Sequence, residues 1–398
     1  MKRFILYILP LFLVFGCQTD ESGETAKKES FIRFFGSSFL DEGFQIAQAE
    51  DDGYLVAGII EDENEFSDII LLKTNAYGEL QWQNQLGDSL NDYGTSFCLT
   101  EDGSAVVAGS ITLSPANNTN VFVAKVNTSG QTVWSYNFGN NSNQRISDII
   151  ETTDGGFLLA GTTDAQNTQT GNPAGQSDVF YMKISAQGDS LWSKVFGGPN
   201  MDVLNAISRS HQDGYMLFGS TSSFSGPGQA TTNMYVLEIN ENGGTVASRT
   251  FGSSMEEEGI DVFKTNDGYI FTGSTMLTNS GESDIFVVKT TTQIFETEWE
   301  NSYGGTQTEF SNSVFQLEDG TFAIAGLTDS YGEGSNDAYL ILVNTAGNLI
   351  MEKTFGGSAS EWANGLIETS DGGFAITGAA EYNENRMITL IKVNQNLE

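Results

Sequence analysis

Six carboxylates recur at one place in a repeating frame, and their spacing is the first sign of chemistry in this chain. Asp41, Asp92, Asp202, Glu257, Glu309 and Glu361 each follow by five residues a glycine that closes a short apolar run; the seventh copy carries Gln144 instead. Acids gathered around one axis would form a negative collar for Ca2+, for a basic segment or for sugar hydroxyls. The same recurrence has a local explanation, in which each carboxylate accepts backbone N–H bonds inside its own loop. A second equivalent set, Glu151, Arg209, Lys264, Gln316 and Glu368, mixes both charges. It suits either a small polar ligand or the solvated rim of a channel.

Other chemistry is sparse. His211 is the chain's single histidine, so a Ser-His-Asp set has one place to form and zinc has no His/Cys cluster to bind. Glu61-Asp62-Glu63-Asn64-Glu65 lacks the glycine of a calcium-binding loop. A carboxylate-pair glycosidase stays open, because 52 acidic residues always permit a pair. Against those 52 stand 17 Lys and Arg, a formal charge of −35. Such a field repels phosphate, which argues against nucleic acid and against direct electrostatic docking on anionic lipid.

The elements that must position these residues are read from self-similarity. An Asp-Gly turn followed by an apolar strand ending in Gly occurs seven times, from Asp52-Gly53 to Asp371-Gly372. The closing glycines, from Gly58 to Gly378, are 51 to 58 residues apart. Each period holds four short apolar runs bounded by Gly, Asn, Asp and Ser, as in 95–100, 104–110, 120–127 and 131–138. Four antiparallel strands per repeat, here named A to D, predict the blade of a β-propeller. The last repeat lacks a D strand, and Phe31 to Phe35 precedes the first A strand. The expected fold is therefore all-β: a seven-bladed propeller of four-stranded antiparallel blades, its ring closed by the N-terminal strand. The A–B and C–D turns share one face and are tight. The opposite face carries the B–C loops 112–119, 164–177 and 222–232, rich in Thr, Asn, Gln, Ser and Gly, where binding is expected.

The N-terminus suggests an address. Lys2 and Arg3 precede an apolar stretch from Phe4 to Phe15 that is too short to span a bilayer as a helix. Gly16-Cys17 at its end resembles the lipobox of bacterial lipoproteins. That resemblance implies removal of residues 1–16 and acylation of Cys17. Residues 17–29, with Asp20, Glu21 and Glu24, would be an acidic flexible tether, and 30–398 the propeller. Acids this close to the cysteine also resemble the surface-export signal of Bacteroidota lipoproteins. Cys98, in an apolar strand, reads as a small buried hydrophobe.

Asp154-Gly155-Gly156-Phe157 and Asp371-Gly372-Gly373-Phe374, with Leu191-Trp192-Ser193-Lys194-Val195-Phe196-Gly197-Gly198, resemble the repeat-propeller lipoproteins and secreted proteins of the Bacteroidota. The likeness extends over residues 30–398 and implies the propeller and an envelope location, but no catalytic residues. Sialidase-type repeats place Trp three residues after Gly, whereas Gly130 to Trp134 is four. The expected function is thus non-catalytic: a scaffold or accessory subunit, lipid-anchored at the outer membrane and facing outward, with an outer-membrane or secreted protein as partner. The alternative is a glycan- or cation-binding lipoprotein using the acidic collar, and after that a polysaccharide-active enzyme. No cofactor is expected beyond Ca2+ in the alternative reading.

Overall fold

Alternating apolar runs of five to nine residues, punctuated by Asp-Gly and Asn-x-x-Gly turns, fold as twenty-eight strands and no helix among the described residues. The computed structural model describes residues 30–398 except 37–38, 88–89, 114–117, 140–141, 166–175, 227–231, 277–281, 295 and 384. Cys17, the expected site of lipidation, and the expected tether 17–29 lie outside the described residues, as do the centres of the three B–C loops named above.

The strands form seven four-stranded antiparallel sheets. Six blades are consecutive meanders, numbered here from Glu42. The seventh pairs Glu361–Glu368, Phe374–Tyr382 and Asn385–Val393 with the N-terminal strand Phe31–Phe35, which runs antiparallel to the last strand from Phe31↔Lys392 to Phe35↔Ile388. The ring is closed as the sequence predicts. In blade two the inner strand begins at Asp92, three residues before the expected start, because its pairing with strand B runs on to Asp92↔Ile111.

Each inner strand carries a bulge at the same place, for example between Ile146 and Asp148 and between Gly259 and Asp261. The closing glycine of strand B lies opposite. A Cβ on Gly161 would sit 1.9 Å from the carbonyl oxygen of Arg145, and every blade repeats this close approach at 1.8–2.3 Å. That recurrent glycine is therefore the mark of the bulge. The apolar core is divided into seven clusters, each shared by two neighbouring blades. Stability thus resides in blade-to-blade stacking, and no blade buries both faces alone.

Candidate functional site

Five of the six collar carboxylates are essentially fully buried: Asp41, Asp92, Asp202, Glu257 and Glu309. Glu361 is half-buried. The expectation that they ring an open channel mouth is corrected, because each turns inward onto its own blade. Asp41 accepts the Glu61 N–H at 2.9 Å, and Asp92 that of Thr112 at 3.1 Å. Asp202 accepts the Gly198 N–H at 2.7 Å and the Thr221 hydroxyl. Glu309 accepts the Gly305 N–H at 2.8 Å, the Thr328 hydroxyl at 2.6 Å and the Ser330 N–H at 3.1 Å. Glu257 takes the Ser253 N–H and hydroxyl, and Glu361 the Gly357 N–H. The carboxylate clips the connection arriving from the previous blade to the end of strand B, which satisfies buried donors.

The glycine five residues earlier has a steric reason. A Cβ on Gly356 would lie 2.4 Å from a Glu361 oxygen and 2.3 Å from Asp337. Sequence reasoning missed this second acid, at the head of strand C; Asp178 and Asp284 are its counterparts, both buried. Burial, then the charge of Glu309, pushes Asp284 up to about 6.

The mixed set at the other end is spent on joining blades. The Arg209 guanidinium donates to the carbonyl of Glu151, and Lys264 donates to that of Ser210 at 3.0 Å. Gln316 accepts the Asn266 N–H at 3.4 Å. Burial raises Glu151 and Glu368 above the usual glutamate range, with repulsion from Glu101 and from Glu318 respectively adding to it. His211 lies at the seam of blades four and five, its ring 5.1 Å from that of Tyr269 and its Nε2 3.1 Å from the Gly268 carbonyl. Burial pushes the Cys98 thiol far up, which favours its protonated form, and the side chain packs against the apolar cluster shared by blades two and three.

The third ring, which the sequence reading did not find, lines the central channel at its waist. There the bulges aim one polar side chain per blade across to a neighbour. Gln45 accepts the Phe97 N–H at 2.6 Å, and the Ser96 hydroxyl donates to Asp148 at 2.6 Å. Asp148 accepts the Ile207 N–H at 2.7 Å, and Asn205 donates to the Gly259 carbonyl at 2.7 Å. Asp261 accepts the Val314 N–H at 2.8 Å, and Asn312 donates to the Ala363 carbonyl at 3.0 Å. Asn364 donates to the Gly43 carbonyl at 2.9 Å and closes the circle. Every blade interface thus has one such link.

These side chains border a cavity of about 470 Å3 on the axis. Two are carboxylic acids. Desolvation pushes Asp148 up to about 6 and Asp261 up to about 7, the charge of Asp148 adding to the shift of Asp261. Both acids are raised by burial, so the cavity lining offers carboxyl groups that suit a cation or a hydrogen-bonding polyol. Among the described residues no group of three or more His, Cys, Asp or Glu is placed to hold a metal ion.

A further regularity lies at the turn face. Lys73, Lys125, Lys183, Lys289 and Lys392 of strand C pair with the turn acids Asp51, Asp102, Asp154, Asp267 and Asp371 at 2.7–3.0 Å. Lys183 holds Asp154 down to about 2. The recurring Lys in an apolar strand was the available signal.

No protein-family model and no curated protein matches the chain. Solved structures do. The WD40 domain of Pan2 from Neurospora crassa aligns at a TM-score of 0.55 and 11% identity, over 88% of this chain and 89% of that one. A PL25 ulvan lyase aligns at 0.56 and 11%, over 91% and 96%. The β-propeller domain of the Trilobed protease from Pyrococcus furiosus, described as having an open velcro topology, aligns at 0.51 and 8%, over 90% and 96%. At such identities the likeness establishes the propeller and nothing finer.

Proposed function

We propose that this chain is a lipid-anchored, non-catalytic subunit of the bacterial outer membrane that holds an outer-membrane or secreted partner on its loop face. The observation that carries this reading is the engagement of the collar: the carboxylates that composition offers for chemistry are buried and hydrogen-bonded to their own loops. What the sequence leaves variable is the loop face of a rigid disc, which fits recognition of a partner. The N-terminal Gly16-Cys17 and the acids after it, resembling Bacteroidota lipoproteins, supply the anchor and the surface location in this reading.

Affinity purification of a tagged chain from detergent-solubilised outer membranes, followed by mass spectrometry, tests it. A stoichiometric partner lost on trimming 166–175 or 227–231 supports the scaffold; recovery of the chain alone overturns it. Cys17→Ser should move the chain from the membrane to the soluble fraction, and continued membrane retention would refute the anchor.

One observation favours a second reading, binding of a cation or glycan on the axis. Asp148 and Asp261 border one cavity, and burial holds both near neutrality. Calcium titration and a glycan array, run on the wild type and on Asp148→Asn with Asp261→Asn, separate this reading from the first.

A further inference from the structure

The first residue paired in strand B points toward the preceding blade, and in six blades it is aromatic: Tyr54, Phe157, Tyr215, Tyr269, Phe322 and Phe374, none more than 2% exposed. The ring seals the interface near the turn face. Phe322 meets Trp299 of blade five with centroids 6.0 Å apart, and Tyr54 meets Phe31 of the closing strand at 6.2 Å. Beneath these rings Lys289 and Lys392 are almost fully buried. Blade two departs from the rule, with Ala105 paired to Leu99 at the same place.

A cavity of about 420 Å3 opens at that interface, between blades one and two. Leu55 and Leu99 form its apolar floor, and Trp82 is a wall. Trp82 is the counterpart of Trp299; its indole N–H is fixed by the Thr128 carbonyl at 3.2 Å, as that of Trp299 is by Thr345 at 2.9 Å. Trp299 has an aromatic partner from the next blade, whereas at the Trp82 interface that place is taken by alanine. The walls therefore leave space for a ring that the chain itself supplies elsewhere.

The rim decides what carries that ring. Glu50, Asp51, Glu101 and Asp102 line the opening, and the one cation among the lining residues, Lys73, is already paired with Asp51 at 2.8 Å. We propose that this pocket receives a Phe or Tyr side chain of a partner segment whose flanking residues are Lys or Arg. The aromatic ring takes the place of the missing strand-B aromatic against Trp82, and the flanking cations meet Glu50 and Glu101. This site is on the turn face, so it does not depend on the loop-face scaffold proposed above.

The test is calorimetric titration of the full chain with acetyl-Lys-Lys-Phe-Lys-Lys-amide and with its Ala-centred analogue, at 150 mM salt. The Phe peptide should bind at least tenfold tighter than the analogue. Ala105→Phe should fill the pocket from inside and abolish that preference while the fold, followed by thermal melting, persists. Glu50→Gln with Glu101→Gln, both at exposed positions, should weaken the Phe peptide severalfold and covers the case in which Ala105→Phe does not fold. Equal binding of the two peptides would reduce the effect to diffuse attraction by an acidic surface and overturn the proposal. A Phe preference surviving Ala105→Phe, or an affinity for the Phe peptide unchanged in the Gln pair, would also overturn it.

Discussion

The carboxylates at the loop end and the two at the waist are the same chemical group on the same inner strands, yet they do opposite jobs. Asp202 binds the Gly198 N–H, on the connection entering its blade, and the Thr221 hydroxyl, at the end of strand B of that blade. Asp148, four residues after Gln144 on its strand, binds Ser96 of blade two and the Ile207 N–H of blade four. The bulge between them makes the difference, since one extra residue re-aims the side chain from the sheet into the channel. A clip of the first kind forms with the blade. A link of the second kind exists only once neighbouring blades have stacked.

The contrast is broken most severely at the loop end. Asp202→Ala leaves the Gly198 N–H and the Thr221 hydroxyl without their acceptor, and each buried orphan costs about 1–3 kcal/mol. A loss of about 3 kcal/mol in urea unfolding is expected; a loss below about 1 kcal/mol would mean that the clip is not structural. At the waist, Asn205→Ala removes the single bond to the Gly259 carbonyl, and the same measurement should show about 1 kcal/mol.

The waist acid also predicts a pH signature. Because burial raises Asp261 to about 7, the folded state holds its proton more tightly than the unfolded chain does. Its contribution to stability is therefore highest at acid pH, falls as pH rises from about 4 to about 7, and is constant above. Asp261→Asn, which mimics the neutral acid, should gain on the wild type across that window and keep a fixed difference beyond it. Parallel unfolding curves for the two proteins from pH 4 to 7.5 would contradict the assignment. The smallest effect belongs to Glu361→Gln, at the half-buried member of the collar with one N–H bond to Gly357 at 3.1 Å. Its unfolding free energy should fall by no more than about 0.5 kcal/mol in the same urea titration.

The collar was legible as a pattern but not in its burial. The Gly-to-acid interval could be counted, while the fact that a Cβ on Gly356 would meet Glu361 and Asp337 together depends on a strand-C residue some twenty positions upstream. The waist was hidden by the bulge. Its polar residues fall four positions after the collar position in Gln45, Ser96, Asp148 and Asp261 but three in Asn205, Asn312 and Asn364, so fixed spacing does not align them. Ala105 was visible as a departure from Tyr54, Phe157 and their equivalents, but only the tertiary structure places it in the apolar cluster against which Trp82 packs.

Sequence by itself determined the seven repeats, the four strands in each and the closure by Phe31–Phe35, because alternation, turn residues and period are local properties repeated along the chain. Tertiary structure alone decided which polar side chains face solvent, which are clipped inside a blade and which bridge two. The clips depend on contacts up to about twenty positions apart, such as Asp41 with Glu61, and the bridging links on contacts between residues about fifty positions apart, such as Asp148 with Ser96 and Ile207. The same distance separates Trp82 from the Thr128 carbonyl that holds it and leaves the wall of an unfilled pocket in place.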